Sequence, residues 1–260
     1  MKFIVMMFRM VLTAYCFAQL AFHALWLSKW VIPRLMKGEG TMTEKRSRTL
    51  FHAHRHITVY LNTLSRLKLV SFDFVGNPVK EPAVLVANHP SLLDFIVLLR
   101  DFSNLVCLYK PQTRNNPILS DFVRLAGYIK GMDGTREASK RIVDECCQRL
   151  HEGHHVAFFP EGTRSKSNHS VSRFRTTGFH AAIKAGVAVQ PVVIYCEPLF
   201  LGKHQPWSEF SKSCNRMIIE YLPPIKIEEM PEEQRNAKGM AESARKLIKS
   251  RLLELDKNRA

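Results

Sequence analysis

The sequence predicts an α/β protein with a largely parallel central sheet flanked by helices, preceded by an N-terminal membrane-binding helical pair. From about residue 67 onward, short apolar runs alternate with helix-like segments, an order that is typical of a parallel sheet. Earlier in the chain, residues 10–27 contain no Lys, Arg, Asp or Glu. Hydrophobic residues make up 46% of the 260, which is enough for a packed core. We therefore divide the chain into membrane-associated helices at 1–67 and an α/β domain at 68–260.

The first predicted helix covers residues 3–33. Its uncharged stretch approaches the ~20 apolar residues that span a bilayer, and a belt of aromatic and basic residues follows: Trp26, Lys29, Trp30 and Arg34. No small-residue cleavage site follows the apolar run, which argues against a secretory signal peptide. Arg9 and His23 interrupt the helix, so a full span and a helix lying in one leaflet both stay open, with a soluble core helix as the third alternative.

A second predicted helix, at 44–67, is basic and amphipathic, a pattern that suits an anionic lipid surface. The whole chain carries 38 Lys and Arg against 23 Asp and Glu, and its net charge of +15 requires an anionic partner. Membrane phospholipids fit this requirement. Nucleic acid is not expected as a partner, because the basic residues are spread along the chain and no recognition motif appears.

Two groups of histidines and the six cysteines are further candidate sites. His52 and His56 share a face of the second helix, with His54 between them, but no Cys or acidic partner lies nearby, so we expect no metal. A second cluster is expected to mark an exposed helix end: His151, His154 and His155. The six cysteines show no C-x-x-C spacing, which indicates a reducing compartment.

The α/β domain is predicted from its alternating segments. Strands are expected at 83–88, 105–110, 128–132, 155–160, 187–195 and 216–222. Helices are expected between them at 91–100, 116–126, 136–152 and 175–185. Thr135 is an N-cap candidate, and Gly153 and Gly186 follow the ends of two helices. A charged C-terminal helix at 231–257 is expected to present a solvated face.

The stretch ANHPSLLDF, residues 87–95, places a histidine and an aspartate at the end of a predicted strand. Because side chains five positions apart on one helix point away from each other, His89 is expected in the loop before the helix. Pro90 breaks the strand and Ser91 is a good N-cap, so Asp94 falls in the first helical turn, where the helix dipole favours an ionised carboxylate. Asp94 can then fix the tautomer of His89 and raise the basicity of its other nitrogen. A plain N-terminal cap is the alternative.

The stretch FFPEGTRS, residues 158–165, follows a second buried strand. Gly162 lets the backbone approach a ligand closely. Arg164 can hold a phosphate through two hydrogen bonds, helped by the Thr163 hydroxyl. A structural pair of Glu161 and Arg164 in a turn is the alternative. Two such loops after two strands of one sheet predict a shared active site at the carboxyl ends of those strands.

These stretches resemble the signatures of a known family. NHPSLLD matches the NHx4D motif of the glycerolipid acyltransferases, the lysophosphatidic acid acyltransferase family; FPEGTRS matches their second signature, and VAVQPVVI at 187–194 resembles a later block. The resemblance covers about residues 68–225, and the family also has a basic pair of membrane-binding helices. It implies that His89 is the general base and Asp94 its orienter. It also implies that four residues bind or position the acceptor head group: Glu161, Gly162, Thr163 and Arg164.

The resemblance implies acyl transfer without an enzyme nucleophile. His89 would remove the proton of a lipid hydroxyl, which attacks the thioester carbonyl of acyl-ACP or acyl-CoA. These donors are anionic co-substrates, so no cofactor is expected. Because acyl thioesters are made in the cytoplasm, the enzyme is expected at the inner (cytoplasmic) membrane with its α/β domain facing the cytoplasm. A lipase is disfavoured, because the sequence has no G-x-S-x-G.

One departure from the family concerns the acceptor. Members that acylate glycerol phosphates usually carry an arginine in a G-x-I-x-(I/V)-x-R pattern, but here the region reads GYIKGMDGTRE, with Asp133 at that position. Lys130 and Arg136 are possible acceptor contacts, although neither is in register. The expected acceptor is lysophosphatidic acid or a related lysophospholipid. The alternatives are a non-glycerophosphate acceptor of a specialised lipid pathway and a non-catalytic lipid-binding relative.

Overall fold

The computed structural model of the protein describes residues 2–116, 118–131, 135–165, 167, 170–210 and 212–257. Its centre is a seven-stranded sheet with the order β1-β7-β6-β2-β5-β3-β4. The strands are β1 Val70–Gly76, β2 Val84–Ala87, β3 Leu105–Tyr109, β4 Ile129–Lys130, β5 His155–Phe158, β6 Val189–Glu197 and β7 Asn215–Tyr221. All neighbours are parallel except β6 and β7. The predicted α/β class with a largely parallel sheet is confirmed, and β1 and the antiparallel pair are additions to the prediction.

β2 and β5 lie side by side in the middle of the sheet and position the site. Their sequences, VLVA and HVAF, are buried at every residue, as expected of central parallel strands that are covered on both faces. The register pairs Val84 with Val156 and Val86 with Phe158. Both strands therefore end at the same edge, and the loops that carry the two sequence motifs leave the sheet there.

The helices around the sheet largely follow the predicted pattern. They are α4 Asp94–Leu98, α5 Ser120–Leu125, α6 Arg136–His151, α7 Thr177–Ala185, α8 Trp207–Phe210 and α9 Ala237–Lys257. Short 3-10 turns lie at Pro111–Asn115, Ile227–Glu229 and Glu232–Gln234. Thr135 caps α6, since its hydroxyl accepts from the Ala138 N–H at 3.1 Å. Gly186 ends α7 in the left-handed region, with a φ of 67°. Both of these local predictions are confirmed.

α4 is shorter than the helix expected at 91–100. It begins at Asp94, with Leu93 at the N-cap, and ends at Leu98. The prediction of Ser91 as N-cap is therefore wrong in position, because the chain first makes a turn. Ser91 still supports that turn, since its hydroxyl accepts from the Leu93 N–H at 3.3 Å. Asp94 lies in the first turn of the helix, where the sequence placed it.

α9 has the expected solvated face, whereas two of the histidines after α6 are more buried than expected. One face of α9 packs into the core through residues such as Met240, Ala244 and Ile248, and the other is exposed. His154 and His155 are 2% and 3% exposed, because β5 begins at His155 in the middle of the sheet. The prediction of an exposed cluster is wrong for these two histidines.

The N-terminal segment forms a helical pair. Its parts are α1 Lys2–Trp26, a π-helical turn Leu27–Val31, α2 Ile32–Lys37 and the returning helix α3 Met42–Arg66. Thr41 and Glu44 form a capping box that starts α3. By length and composition alone, Phe3–Lys37 is apolar enough to cross a membrane, with a mean hydropathy of 1.7 over its most apolar window.

α1 lies along the α/β domain rather than projecting away from it. Near its start, the Arg9 guanidinium donates to the carbonyls of Lys68, at 3.2 Å, and of Ser213. Further along, Phe17 packs on Phe210, with ring centroids 6.3 Å apart. We call the opposite side the outer face of α1; it exposes large apolar side chains: Phe3, Ile4, Phe8, Val11, Tyr15, Phe22 and Trp26.

The helical pair shares its core with the sheet. Cys16 of α1 and Tyr60 and Leu64 of α3 belong to one hydrophobic cluster with Leu85 of β2. This shared core does not separate the two regions, so the division into 1–67 and 68–260 stays a prediction.

Candidate active site

The loop after β2 is pinned to β6 by Asn88. Its side-chain amide donates to the Ile194 carbonyl at 2.7 Å, and its amide oxygen accepts from the Ile194 N–H at 2.9 Å. Because Asn88 is buried, water does not compete for these two hydrogen bonds. The next residue, His89, therefore starts from a fixed backbone position.

His89 and Asp94 lie in direct contact. The imidazole Nδ1 is 2.7 Å from Asp94 Oδ2, and the same oxygen accepts from the Ser91 N–H at 2.8 Å. An ionised carboxylate only accepts, so Nδ1 carries the hydrogen and Nε2 is left as the free base. Asp94 is fully buried, whereas 23% of the His89 side chain is exposed. The base is thus accessible to a substrate and its partner is not.

Burial raises the pKa of Asp94 to about 6. The hydrogen bond and charge of His89, the Ser91 N–H and the charge of Arg164 all oppose this shift by favouring the ionised form. Asp94 Oδ1 has no hydrogen-bond partner among the residues that the structure describes, which adds to the cost of ionising it. The charge of Asp94 therefore depends on its contacts with His89, Ser91 and Arg164.

Glu161 ties the two motif loops together. Its Oε1 accepts from the Ser165 hydroxyl at 2.7 Å and from the His89 N–H at 3.3 Å, and its Oε2 accepts from the Ser172 N–H at 3.0 Å. The Ser165 N–H in turn donates to the His89 carbonyl at 2.6 Å. Because Glu161 is buried, its carboxylate supports the backbone around His89.

Arg164 also contacts the protein itself. Its Nη1 donates to the carbonyls of Leu201, at 2.7 Å, and Gly202, at 2.9 Å, in the loop between β6 and α8. Arg164 lines an open cavity of about 540 Å³ together with Leu92 and Trp207. Arg164 Nη1 is thus used to stabilise a loop of the protein. The sequence did not indicate this structural role.

A different cavity, of about 450 Å³, opens beside His89, and we call it the His89 cavity. The Phe159 ring stacks on His89 with 4.3 Å between centroids and forms part of its wall. Two cationic residues that the sequence analysis did not single out, Lys110 and Arg175, line the same cavity. Both are exposed, so the cavity combines a base with two positive charges.

Arg175 lies directly over Gly162. Gly162 has a φ of 72°, and a Cβ atom there would lie 2.8 Å from the guanidinium carbon of Arg175. The glycine therefore makes room for the arginine side chain. The Arg175 N–H donates to the Pro160 carbonyl at 3.0 Å, but in the described part of the chain its guanidinium has no hydrogen-bond partner. The only signal in the sequence was a cation two residues ahead of α7.

The other residues predicted to contact the acceptor do not line the His89 cavity in the described structure. Thr163 is exposed, next to Gly162. Lys130 is half-buried at the end of β4, and its carbonyl accepts from Arg141; it is not among the residues that line the His89 cavity, although the adjoining Gly131 is. The side chain of Arg136, and Asp133 as a whole, lie outside the described residues.

A third cavity, of about 530 Å³, adjoins the His89 cavity at Phe95, Cys107 and Tyr109, which line both. We call it the apolar cavity. It lies between α1, α3, α4, α5 and β3, and most of its lining residues are hydrophobic, among them Phe17, Leu20, Leu27, Ile57, Leu99 and Phe122. Such a space suits a hydrocarbon chain.

The protein is of the α/β class, and its site has a histidine–carboxylate pair at the carboxyl end of a central strand. An apolar cavity lies nearby. The chain belongs to the acyltransferase family, whose model matches residues 39–195. The family predicted from the sequence is thereby confirmed.

Curated relatives carry related names. A 1-acyl-sn-glycerol-3-phosphate acyltransferase of Chlamydomonas reinhardtii is 30% identical over 179 residues, which cover 67% of this chain and 50% of the relative. A lyso-ornithine lipid O-acyltransferase of Pseudomonas aeruginosa is 34% identical over 119 residues, which cover 46% of this chain and 45% of the relative. The chain thus spans about half the length of these curated relatives.

A solved structure resembles the whole chain. It is the crystal structure of the 1-acyl-sn-glycerophosphate (LPA) acyltransferase PlsC from Thermotoga maritima, with a TM-score of 0.74, 19% identity and 98% of both chains covered. At that identity the likeness shows the fold.

Proposed function

We propose that this protein transfers a fatty acyl chain from acyl-CoA or acyl-ACP to the hydroxyl of lysophosphatidic acid or a related lysophospholipid. The observation that carries the proposal is the His89–Asp94 pair, 2.7 Å apart, at a cavity that is lined by Lys110 and Arg175 and adjoins an apolar cavity. One site thus offers a base, an anion-binding wall and space for a hydrocarbon chain.

In the proposed reaction, His89 acts as general base. Its Nε2 takes the proton of the acceptor hydroxyl, whose oxygen forms a bond to the thioester carbonyl carbon. The carbon–sulfur bond then breaks, and the thiolate leaves with the proton that His89 held. Asp94 keeps the imidazole in the productive tautomer and stabilises the imidazolium that forms in between. The thiolate is a good leaving group, so a base and correct positioning suffice.

Lys110 and Arg175 are the proposed anchors for the anionic part of the acceptor. Both line the His89 cavity, and a guanidinium without a hydrogen-bond partner in the described structure is well suited to a phosphate. Glu161, Gly162 and Arg164 then act mainly by shaping this wall: Glu161 and Arg164 hold loops, and Gly162 gives space to Arg175. This assignment refines the direct head-group contacts implied by the family resemblance.

The apolar cavity is the proposed site of the donor's acyl chain. It meets the His89 cavity at three residues, so a chain held there would present its thioester to His89. Burial of each methylene stabilises binding by ~0.8 kcal/mol, which provides most of the affinity for a long chain.

The proposed location is the cytoplasmic face of the inner membrane, with α1 lying in one leaflet. The outer face of α1 is apolar, while Arg9 and Phe17 hold the other face against the α/β domain. A helix held along its length by a folded domain is better suited to lie in the interface than to cross the bilayer. All six cysteines are free thiols, in keeping with the cytoplasmic side.

A second acceptor class is favoured by one sequence feature. Asp133 stands where family members that acylate glycerol phosphates usually have an arginine, and one relative is named a lyso-ornithine lipid O-acyltransferase. A lipid hydroxyl without a glycerol phosphate is therefore the alternative acceptor.

The test is acyl transfer by the detergent-purified protein from labelled acyl-CoA and, separately, acyl-ACP. Acceptors are lysophosphatidic acid and a total bacterial lipid extract. His89→Ala is compared with His180→Ala, which changes an exposed histidine on α7 outside the site. We expect the first variant to lose roughly 10²–10⁴-fold in rate and the second to match wild type.

Each outcome decides one part of the proposal. Transfer to lysophosphatidic acid supports the glycerophosphate acceptor, and transfer only with the extract selects the alternative acceptor. Equal rates for wild type and His89→Ala would show that His89 is not the base. Binding of lipid without transfer from any donor would indicate a non-catalytic lipid-binding protein.

A further inference from the structure

An open groove lies between α1 and the loop that joins β6 to α8, and the proposed reaction leaves it without an occupant. It is the cavity of about 540 Å³ beside Arg164, and we call it the Trp207 groove. α1 contributes Ala14 and Phe17 to its lining, and the turn before α4 contributes Leu92. Leu92 and Trp207 are 55% and 48% exposed. Large apolar side chains that line an open groove offer a binding surface to an apolar ligand.

The Trp207 groove adjoins both cavities of the proposed reaction. Leu92 lines the groove and also the His89 cavity. Phe17 lines the groove and also the apolar cavity. A molecule in the groove can therefore reach His89 past Leu92 without entering the space that is proposed for the donor's acyl chain.

The backbone of Leu201 fixes the wall of the groove. Leu201 has a φ of 49°, in the left-handed region that a leucine rarely adopts. Its carbonyl accepts from Arg164 Nη1 at 2.7 Å and from the Leu92 N–H at 3.1 Å. These hydrogen bonds join the loop before α8 to the two motif loops, and they offset the cost of the unusual backbone. The groove is therefore a preformed feature of the fold.

The groove meets the outer face of α1, which is proposed to lie in the membrane. Ala14 is exposed and lines the groove, and Val11 and Tyr15 beside it on the helix are exposed apolar residues of that face. Arg164 adds a positive charge to the lining, and its Nε and Nη2 make no hydrogen bond in the described part of the chain. An apolar groove that has a cation and opens toward lipid suits an amphiphile with a hydrocarbon chain and an anionic head.

We propose that the Trp207 groove binds the acyl chain of the lysophospholipid acceptor. The proposal rests on the proposed function, because it needs His89 as the base and the apolar cavity as the site of the donor's chain. The acceptor enters from the plane of the membrane, places its chain in the groove and brings its hydroxyl past Leu92 to His89. Its head group then faces the cationic residues of the His89 cavity. Donor and acceptor chains lie in separate spaces that meet at Phe17.

The experiment measures kcat/KM for 1-hexanoyl and 1-oleoyl lysophosphatidic acid in the same detergent micelles, with palmitoyl-CoA as the fixed donor. Wild type should prefer the oleoyl acceptor. Two variants change the groove in opposite ways, since Trp207→Ala removes apolar surface and Ala14→Trp fills space from α1. In each variant we expect kcat/KM to fall roughly tenfold for the oleoyl acceptor, because contact with the long chain is lost, and to change little for the hexanoyl acceptor.

Matched controls separate the groove from membrane binding in general. Ala18→Trp makes the same change one turn later on α1, where Ala18 is exposed and lies outside the groove lining. Trp30→Ala removes an exposed tryptophan that is also outside the lining. Both controls should keep the wild-type ratio of kcat/KM between the two acceptors, whatever their absolute rates. Thermal unfolding of each variant shows that the chain is folded.

A donor arm tests which chain occupies the groove. It combines the hexanoyl acceptor with octanoyl-CoA and palmitoyl-CoA, and Trp207→Ala and Ala14→Trp should keep the wild-type ratio between these donors. A change in the donor ratio without a change in the acceptor ratio would assign the groove to the donor and overturn the proposal.

The outcomes also separate the groove from the proposed function. The groove assignment is overturned if wild type does not prefer the oleoyl acceptor, or if both groove variants retain the wild-type preference. Absence of transfer to lysophosphatidic acid by wild type would instead contradict the proposed function. Binding of a fluorescent lysophospholipid then tests the groove on its own, and equal affinities of wild type and Ala14→Trp would overturn it.

Discussion

At the residue scale, Asp94 is placed where its charge is unfavourable. The carboxylate is fully buried, and burial raises its pKa to about 6. In the folded protein Asp94 therefore binds a proton more readily than its ordinary pKa of 3.8 allows. Because the folded state holds this proton more tightly than the unfolded state, protonation of Asp94 stabilises the fold. This stabilisation is present in full below pH ~4 and is lost as the pH rises through about 6. The proposed role of orienting His89 accounts for an ionised carboxylate in such a place.

Asp94→Asn should therefore raise stability and lower activity. The neutral amide avoids the cost of burying a charge, so at pH 8 the free energy of unfolding should rise by up to about 3 kcal/mol, and the difference should vanish near pH 4. Acyl transfer should fall by roughly 10²–10⁴-fold, because the tautomer of His89 is no longer fixed. Urea unfolding at both pH values and the rate of transfer check this, and a variant less stable than wild type at pH 8 would contradict it.

For the same pair, the activity of the wild type should decline as the pH falls through about 6. Below that value Asp94 becomes protonated and can no longer accept from His89 Nδ1 in the same way. The pH profile of kcat/KM measures this loss, and Asp94→Asn should not show the same inflection. A wild-type profile that is flat from pH 5 to 8 would argue against a catalytic pair.

Arg175 provides a second prediction about a single side chain. Arg175→Ala should raise the KM for a phosphate-bearing acceptor by roughly tenfold or more, as expected for a hydrogen bond to a charged group, and should change kcat less. Arg175→Lys should recover part of the loss. Arg173→Ala, an exposed arginine of the same segment that is not in the cavity lining, is the control, and an equal effect of both substitutions would point to a general charge effect.

At the scale of elements, the site depends on two loops that hold each other. Glu161 accepts three hydrogen bonds, two from Ser165 and Ser172 of its own loop and one from the His89 N–H of the other. Glu161→Ala should lower the free energy of unfolding by about 1–3 kcal/mol, because buried donors lose their acceptor, and should also lower kcat by displacing His89. Thermal unfolding measures the first effect, and Thr163→Ala, at the exposed neighbouring position, should leave stability unchanged. If Glu161 only bound the acceptor, KM alone would change.

The sequence predicted the part of the site that depends on local geometry. Pro90 and the turn before α4 bring His89 onto Asp94 within a few residues, so spacing and helix electrostatics were sufficient. Glu161 was different, because its contact with the His89 backbone joins residues 72 positions apart and forms only in the folded sheet. No short-range pattern predicts such a contact.

Arg175 was missed for the same physical reason. Its position over Gly162 depends on how the chain returns from the loop after β5 to α7. Arg164 stood out in the sequence, yet its main contacts are two carbonyls in the loop between β6 and α8. A cation in a motif can bind either a ligand or the backbone, and tertiary structure decides which.

The fold shows a similar limit. Buried runs such as VLVA and HVAF predicted the central parallel strands, because both faces are covered there. β1 was missed, since most of its residues are half-buried or exposed and give no continuous apolar run. The antiparallel pairing of β6 and β7 was also missed, because the segment between them is long enough for either direction.

At the scale of the whole molecule, the outer face of α1 determines how the protein meets a membrane. Replacing both Phe8 and Phe22 by Glu should lower binding to anionic vesicles by roughly tenfold or more, since each buried aromatic side chain contributes about 1.5–3 kcal/mol. Vesicle sedimentation measures this. Leu247→Glu, an exposed apolar residue on α9, should have no such effect, and equal losses would mean that α1 is not the contact surface.

α1 runs along the α/β domain with its apolar side outward. An enzyme bound to the membrane through this side would therefore meet its acceptor by diffusion within the plane of the bilayer. Its rate would then follow the mole fraction of acceptor among the surrounding lipids rather than the amount per volume of solution. Diluting the acceptor with inert phospholipid should slow turnover at constant total acceptor, whereas adding more vesicles of the same composition should not. The fraction of acceptor among the lipids around α1 would thus determine the rate of acyl transfer.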